Sequence, residues 1–152
     1  MEKFNSIDDV LDYAIVQEQE AVDFYTELAK KAGSNDTKAN FMEFVKEEMG
    51  HKEKLMKLKQ EGSLSIIEDK AVQDLKISDY LSPVTPSPDM SYQEALIVVM
   101  KKEKAAYNLY LALEKMVPSS ELKEVFHLLA LQEANHKLQF EEEYDDIILK
   151  DN

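Results

Sequence analysis

The sequence predicts an all-α protein, a four-helix bundle of two antiparallel helical hairpins joined by a long crossover. Good helix formers dominate, whereas glycine (3) and proline (4) are rare among the 152 residues. Apolar residues recur at helical spacing in four long segments, and capping residues, glycine or proline bound those segments. The length suits one domain with a substantial core, so we expect a single domain over residues 1–152.

The first two helices are predicted at about residues 6–32 and 36–61. Ser6 begins the first helix with an S-x-x-D capping pattern, and Gly33 after its end suits a C-cap. Gly62 follows the second helix in the same way. Because only a few residues separate these helices, they should form an antiparallel hairpin.

The third and fourth helices are predicted at about residues 91–117 and 119–149. Ser91 begins the third helix with an S-x-x-E capping box, and Pro118 stops it. The connection between these helices is also short. They should therefore form a second antiparallel hairpin.

Residues 62–90 are predicted to form the crossover between the hairpins. This segment contains Pro83, Pro86 and Pro88 and shows no sustained amphipathic pattern, although a short helix is expected near 68–76. A helix of about 25 residues is roughly 37 Å long. Nearly 30 residues at about 3.3 Å each could cover that length, as a crossover of a four-helix bundle requires.

The composition excludes several classes of partner and site. The formal net charge of −13 would repel phosphate backbones and anionic membrane surfaces, so we expect neither nucleic acid nor a membrane as partner. The chain has no cysteine, which removes disulfides, thiolate catalysis and cysteine-based metal sites. Because it also shows no basic leader followed by an apolar core, we expect a cytoplasmic protein.

The second hairpin repeats the first with a shift of 85 residues. The shift superposes two E-x-x-A-x-x-x-Y motifs and two E-x-x-H motifs. The polar residues that coincide are Glu18 with Glu103, Glu48 with Glu133, and His51 with His136. Each glutamate interrupts an apolar stripe, so it should point inward, and each histidine three residues further on shares that face. All six side chains should meet in one layer, about 22 Å from the short loops.

Four carboxylates in a low-dielectric interior would each cost several kcal/mol if nothing balanced their charge. No lysine falls on the inward positions, and two divalent cations would balance four negative charges. A single glutamate in an apolar stripe is more often a boundary residue that reaches solvent, but six residues at a common offset favour a dinuclear metal site. Four glutamates and two histidines suit iron or manganese, with zinc as a redox-inert substitute. We expect two iron ions.

At these residues the chain resembles the ferritin-like di-iron carboxylate superfamily, and most closely its rubrerythrin-like branch. The resemblance implies that Glu18 and Glu103 are terminal ligands, that Glu48 and Glu133 bridge the metals, and that His51 and His136 each bind one iron. Rubrerythrins usually carry a further carboxylate one turn after the third-helix ligand, where this chain has Ala106. The chain also has no cysteine, so we expect no rubredoxin domain in it. The electron donor would therefore be a separate redox protein.

The function implied by this resemblance is reduction of hydrogen peroxide or dioxygen coupled to oxidation of ferrous iron. Two alternatives remain open: a non-catalytic protein that binds and handles iron, or a bundle that holds a redox-inert metal. The E-M-G-H sequence at 48–51 is also similar to a bacterioferritin motif, but Met49 is better explained by packing or an interface, so we do not expect haem. The short segment after His136 disfavours a cage-forming storage shell. A homodimer is compatible with the resemblance.

Two tyrosines are candidates for supporting the catalytic centre. Tyr25 and Tyr110 each lie seven residues after a first-helix or third-helix glutamate, on the same face two turns away. They could pack as core aromatics, or their hydroxyls could orient a ligand carboxylate. The sequence leaves both interpretations open.

Overall fold

Long helices dominate the computed structural model, which describes residues 4–81, 87 and 89–151. The elements are α1 (Ile7–Lys31), α2 (Asn35–Glu61), α3 (Asp69–Asp74), a 3-10 turn (Ile77–Tyr80), α4 (Tyr92–Met116) and α5 (Ser120–Asp151). The described residues contain no strand. α1 packs against α2, and α4 packs against α5. The predicted all-α class is confirmed, and the paired helices are consistent with a ferritin-like bundle.

The chain divides into two compact units, Met1–Asp79 and Tyr80–Asn152, and each unit is built on one hairpin. The short helix expected in the connection is present as α3, and the 3-10 turn after it was not predicted. The prolines expected in the crossover, Pro83, Pro86 and Pro88, lie outside the described residues. The expectation of a single domain over the whole chain stays a prediction.

Serine caps set where the four long helices begin. The side chains of Ser6 and Ser91 accept hydrogen bonds from the backbone N–H groups of Asp9 and Glu94, at 3.3 and 3.1 Å, and both acids complete capping boxes. Ser34 caps α2 and Ser119 caps α5 by the same kind of bond. These side chains satisfy backbone donors that have no partner within the first turn of a helix. The predicted starts are confirmed to within about one residue.

The ends of the helices of the first hairpin differ from each other. α2 ends at Gly62, whose φ of 65° is in the left-handed region that favours glycine. The C-cap role predicted for Gly33 is wrong, because α1 ends on Ala32 with extended backbone angles (φ −63°, ψ 140°). Only Gly33 separates this extended residue from the N-cap of α2, so the turn is made without a left-handed residue.

The apolar stripes predicted along the helices are buried. In the first hairpin the buried apolar residues of α1 and α2 are Ile7, Val10, Leu11, Ala14, Tyr25, Leu28, Ala29, Phe41, Phe44, Val45, Leu55 and Leu58. In the second hairpin they include Leu96, Val99, Leu109, Tyr110, Leu113, Phe126, Leu129, Ala130 and Phe140. Burial of one large apolar side chain stabilises the fold by roughly 1.5–3 kcal/mol. No helix within the described ranges has the length and apolar character needed to cross a bilayer.

Candidate metal centre

The first hairpin brings three of the predicted ligands together. α1 presents Glu18, and α2 presents Glu48 and His51 one turn apart on its inward face. The His51 Nδ1 atom lies 3.5 Å from Glu18 Oε2 and 3.5 Å from Glu48 Oε1. We call these three residues the first cluster. Its glutamates come from both helices of the hairpin, so packing of α1 against α2 assembles it.

The second hairpin repeats this arrangement. Glu103 lies on α4, and Glu133 and His136 lie one turn apart on α5. The His136 Nδ1 atom is 3.9 Å from Glu103 Oε2 and 3.9 Å from Glu133 Oε1. We call these residues the second cluster. The inward orientation predicted for all six side chains is confirmed, since their exposed fractions range from 0% to 3%.

The geometry of each cluster fits a metal ion. Within each cluster, one potential ligand atom per residue can be chosen so that all lie within 4.8 Å of one another. Nitrogen and oxygen ligands lie about 2.1 Å from a metal such as zinc, so two ligands of one ion are separated by up to about 4.2 Å. The histidine-to-carboxylate separations of 3.5 and 3.9 Å are within that limit. Carboxylate oxygen and imidazole nitrogen are ligands for iron, manganese and zinc.

Electrostatics also favour a cation at each cluster. Two like charges about 4 Å apart repel by about 4 kcal/mol at an effective dielectric constant of 20. Each cluster buries two carboxylates, and no lysine in the described part of the chain is buried. One divalent ion would balance the two negative charges of a cluster and bind its neutral imidazole. Each cluster therefore has the composition of one half of a di-metal site.

No role was predicted from the sequence for two lysines that follow the cluster histidines. Lys52 follows His51 and is half-buried, and its Nζ donates to Gln19 Oε1 on α1 over 2.7 Å. Lys137 follows His136 and donates to Glu141 along α5. The bond of Lys52 links α2 to α1, whereas the bond of Lys137 lies within α5. The signal was present in the repeat, because the two lysines coincide under the same 85-residue shift.

The two candidate tyrosines lie in the core. Tyr25 and Tyr110 are both buried, and the Tyr110 ring centroid lies 6.3 Å from that of Phe126. This contact supports a packing role for Tyr110. A role of either hydroxyl in orienting a ligand carboxylate stays a prediction. His127, the remaining histidine, is exposed and lies 3.2 Å from Glu114, outside both clusters.

The six predicted ligands thus form two groups of three, one in each hairpin. The structure bears out their burial and their grouping within each hairpin. The prediction that both groups meet in one layer stays a prediction, and so does the role of each residue as a terminal or bridging ligand.

Comparison with known proteins identifies one family. The family model described as Rubrerythrin matches residues 9–85, which is just over half of the chain. The match spans α2, most of α1 and the connection after α2, and it includes all three residues of the first cluster. Nothing matches the chain among curated proteins or among solved structures. The second cluster lies outside the matched span, so the internal repeat is what relates it to the first.

Proposed function

We propose that this chain, which belongs to the rubrerythrin family, is a di-iron oxidoreductase that reduces hydrogen peroxide or dioxygen. A separate redox protein would restore the ferrous state. One observation carries the proposal: each hairpin buries a cluster of two glutamates and one histidine, and the two clusters are related by the same sequence shift. Such a repeated set of ligands has little use in a bundle that serves only as scaffold.

In this proposal the residues of the two clusters are together the ligands of one pair of metal ions. Glu18 and Glu103 would be terminal ligands, Glu48 and Glu133 would be shared between the ions, and His51 and His136 would each bind one ion. The four carboxylates balance the charge of two divalent cations. The ligands match the arrangement known for di-iron and di-manganese helical bundles, with one glutamate from each of two helices and Glu-x-x-His from each of the others.

The residues of the chain have three tasks in such a reaction. When bound, two ferrous ions supply one electron each, so that one hydrogen peroxide and two protons become two water molecules. The carboxylates of Glu48 and Glu133 would hold both ions close enough to react with one oxidant. The imidazoles fix the orientation of the site, and the surrounding apolar residues exclude bulk water. Iron is proposed over zinc because this reaction needs a metal that changes its oxidation state.

Anaerobic loading followed by stopped-flow mixing tests the proposal. The protein is loaded with ferrous iron, the metal is counted by mass spectrometry, and oxidation is followed after mixing with hydrogen peroxide or with dioxygen. We expect two irons per chain and oxidation faster than that of free ferrous ion by at least one of the oxidants. Glu47→Gln serves as a matched control for Glu48→Gln, because it makes the same chemical change one position away.

The outcomes separate the alternatives. If two irons bind but neither oxidant oxidises them faster than it oxidises free ferrous ion, the redox proposal fails. The protein would then be one that binds and handles iron. If the protein purified from iron-replete and zinc-replete cultures holds only zinc, the bundle carries a redox-inert metal. Growth of a mineral core beyond two irons would indicate storage, whereas retention of two irons after oxidation supports the proposed site.

A further inference from the structure

A pocket of about 300 Å³ lies between α4 and α5 of the second hairpin. Its volume is at the lower end of the range that small-molecule sites occupy. Met100, Lys101 and Lys104 line it from α4, and Lys137 is one of the residues that line it from α5. Three lysines therefore share one pocket in a chain whose net charge is −13. We call it the lysine pocket.

The first hairpin shows what this pocket replaces. Under the 85-residue shift, Lys137 coincides with Lys52, and Lys104 coincides with Gln19. In the first hairpin the Lys52 Nζ atom donates to Gln19 Oε1 over 2.7 Å, and this bond joins the two helices directly. The Lys104 side chain has no acceptor to offer, and Lys137 donates to Glu141 within α5 instead. The second hairpin therefore has two ammonium groups where the first has a bond between helices.

Two of the pocket lysines carry charges that the described part of the chain does not balance. Lys101 and Lys104 are both exposed, and neither makes a hydrogen bond or an ion pair with a described residue. They lie three positions apart on α4, so their like charges repel each other. The first hairpin has Val16 and Gln19 at the corresponding positions, so a hairpin forms without these charges. Both ammonium groups are therefore free to bind an anion.

The other side chains of the pocket restrict the kind of anion. Met100 and Tyr144 are half-buried and give the pocket an apolar wall. Glu141 and Asp145 also line it, and their carboxylates would repel a second anionic group on the same ligand. A phosphate monoester has a charge of about −2 near pH 7, which the two free ammonium groups balance. The pocket therefore suits one phosphate group on a small organic body.

We propose that the lysine pocket binds a small organic phosphate. Lys101 and Lys104 bind its phosphate oxygens, and the apolar wall packs against its organic part. Lys137 adds positive charge from α5. The bound phosphate then connects α4 to α5, as the bond of Lys52 connects α2 to α1. No metal takes part in this binding, and the proposal goes beyond the proposed function.

Isothermal titration calorimetry at low ionic strength tests the proposal, because salt screens exposed charges. Phenyl phosphate is the probe, and inorganic phosphate and phenol represent its two parts. Phenyl phosphate should bind one site per chain with a dissociation constant on the order of 1 mM. It should bind at least about fivefold more tightly than either part alone, because only the whole probe contacts both the lysines and the apolar wall.

A lysine exchange separates this site from general attraction to positive charge. Lys104→Gln gives α4 the residue type that the first hairpin has, and it should weaken phenyl phosphate binding about tenfold. The matched control is Lys115→Gln, at another exposed lysine of α4, which should change the dissociation constant by less than about twofold. The midpoint of thermal unfolding should not fall in Lys104→Gln, since glutamine can accept a hydrogen bond from Lys137.

A second exchange should strengthen binding, which damage to the fold would not do. Glu141→Gln removes a carboxylate from the pocket and releases Lys137 from its ion pair. It should therefore lower the dissociation constant of phenyl phosphate about threefold. Glu142→Gln, at the exposed neighbouring position, makes the same chemical change outside the pocket and should leave the dissociation constant within about twofold.

Several results would overturn the proposal. If phenyl phosphate does not bind measurably up to about 10 mM, the pocket has no such affinity. Equal weakening in Lys104→Gln and Lys115→Gln would mean general attraction to positive charge. Phenol that binds as tightly as phenyl phosphate would show an apolar site, and inorganic phosphate that does so would show a site for the ion alone. The count of iron per chain tests the proposed function separately, because none of these results depends on it.

Discussion

The two hairpins repeat each other at their ends and in their buried polar residues. α1 and α4 begin with capping boxes at Ser6 and Ser91, which are 85 positions apart. The turns begin on extended C-caps, Ala32 and Val117, at the same offset. Corresponding residues of the two clusters are also 85 positions apart. The repeat therefore includes the local hydrogen bonds that define each helix as well as the proposed ligands.

The outer faces of the hairpins do not repeat. Under the same shift, the exposed methionines Met42, Met49 and Met56 fall on His127, Ala134 and Glu141. α5 instead exposes Leu128, Leu131 and Leu138, whose counterparts on α2 are Glu43, Lys46 and Glu53. Buried carboxylates must remain together with whatever balances their charge, whereas exposed positions can change at little cost in stability. The two hairpins therefore have the same buried polar residues but different exposed residues.

The largest expected effect would come from removing one ligand in each hairpin. Glu48→Gln and Glu133→Gln should each weaken metal binding more than about 100-fold, because a ligand contributes more than the 10–100-fold of a residue that only supports one. If the clusters are equivalent, both variants should lose the same number of ions per chain by mass spectrometry. Glu47→Gln should retain two ions. A Glu133→Gln variant with full metal content would break the equivalence of the hairpins.

Metal-free protein offers a complementary measurement on the same variants. Glu48→Gln and Glu133→Gln each remove one of two neighbouring buried charges, so the metal-free variants should unfold at higher temperature than the metal-free parent. Calorimetry with and without metal would show both effects. A variant that is destabilised without metal would indicate that the carboxylate has a structural role in the hairpin.

The next largest effect concerns the apolar core. Phe41 and Phe126 coincide under the shift and are both buried. Phe41→Ala and Phe126→Ala should each lower the free energy of unfolding by about 3–5 kcal/mol, because each deletes a large buried side chain. Urea denaturation would measure this, with the exposed Met56→Ala as control. Losses that differ by more than about 2 kcal/mol would show that the hairpins contribute unequally to the core.

Smaller effects are expected at the helix caps. Ser6→Ala and Ser91→Ala each remove a capping-box hydrogen bond and should cost about 1 kcal/mol of stability. For a chain of this length, that lowers the melting temperature by about 2–4 °C. Ser65→Ala, at an exposed turn, is the matched control. If both variants lose the same stability, the first turns of α1 and α4 contribute equally. If only one variant loses stability, the two first turns are not equivalent.

The smallest effect is a difference between the hairpins at high pH. The hydroxyl of half-buried Tyr92 donates to Glu143 Oε2 over 3.3 Å. Burial, followed by the charge and hydrogen bond of Glu143, raises the pKa of Tyr92 above its ordinary value. Above about pH 10, tyrosine loses its proton in the unfolded chain but keeps it in the folded one, so stability falls as pH rises. Below about pH 10 the contribution of Tyr92 to stability is fully present and does not change with pH.

Tyr92→Phe isolates that contribution. Near neutral pH, loss of the hydrogen bond should lower the free energy of unfolding by a few tenths to about 1 kcal/mol. Between about pH 10 and pH 11, the free energy of unfolding should fall less for the variant than for the parent. Thermal melts across this range would measure the difference. The first hairpin has Ile7 at the corresponding position, so Ile7→Val should leave the alkaline slope unchanged. Parallel slopes for Tyr92→Phe and its parent would contradict the assignment.

Much of the fold and of each cluster could be predicted because the signals are local. Serine caps depend on bonds three residues away, and the inward position of Glu18, Glu48 or His51 follows from helical spacing within one segment. The C-cap prediction for Gly33 was wrong, because the conformation of a short turn depends on both of the helices that it joins. The bond from Lys52 to Gln19 depends on how far α1 and α2 rotate against each other, which spacing does not define.

The sequence by itself determined four long helices, their order, the capping boxes at Ser6 and Ser91, and the six buried residues that recur in both hairpins. It did so because hydrogen bonds and periodicity within a helix involve near neighbours along the chain. The tertiary structure decided what depends on contact between helices. It brings His51 Nδ1 to 3.5 Å from a carboxylate on the neighbouring helix, and it leaves Met42, Met49 and Met56 of α2 exposed. Both result from side-chain packing between helices, which sets their distance and rotation and which no single segment contains.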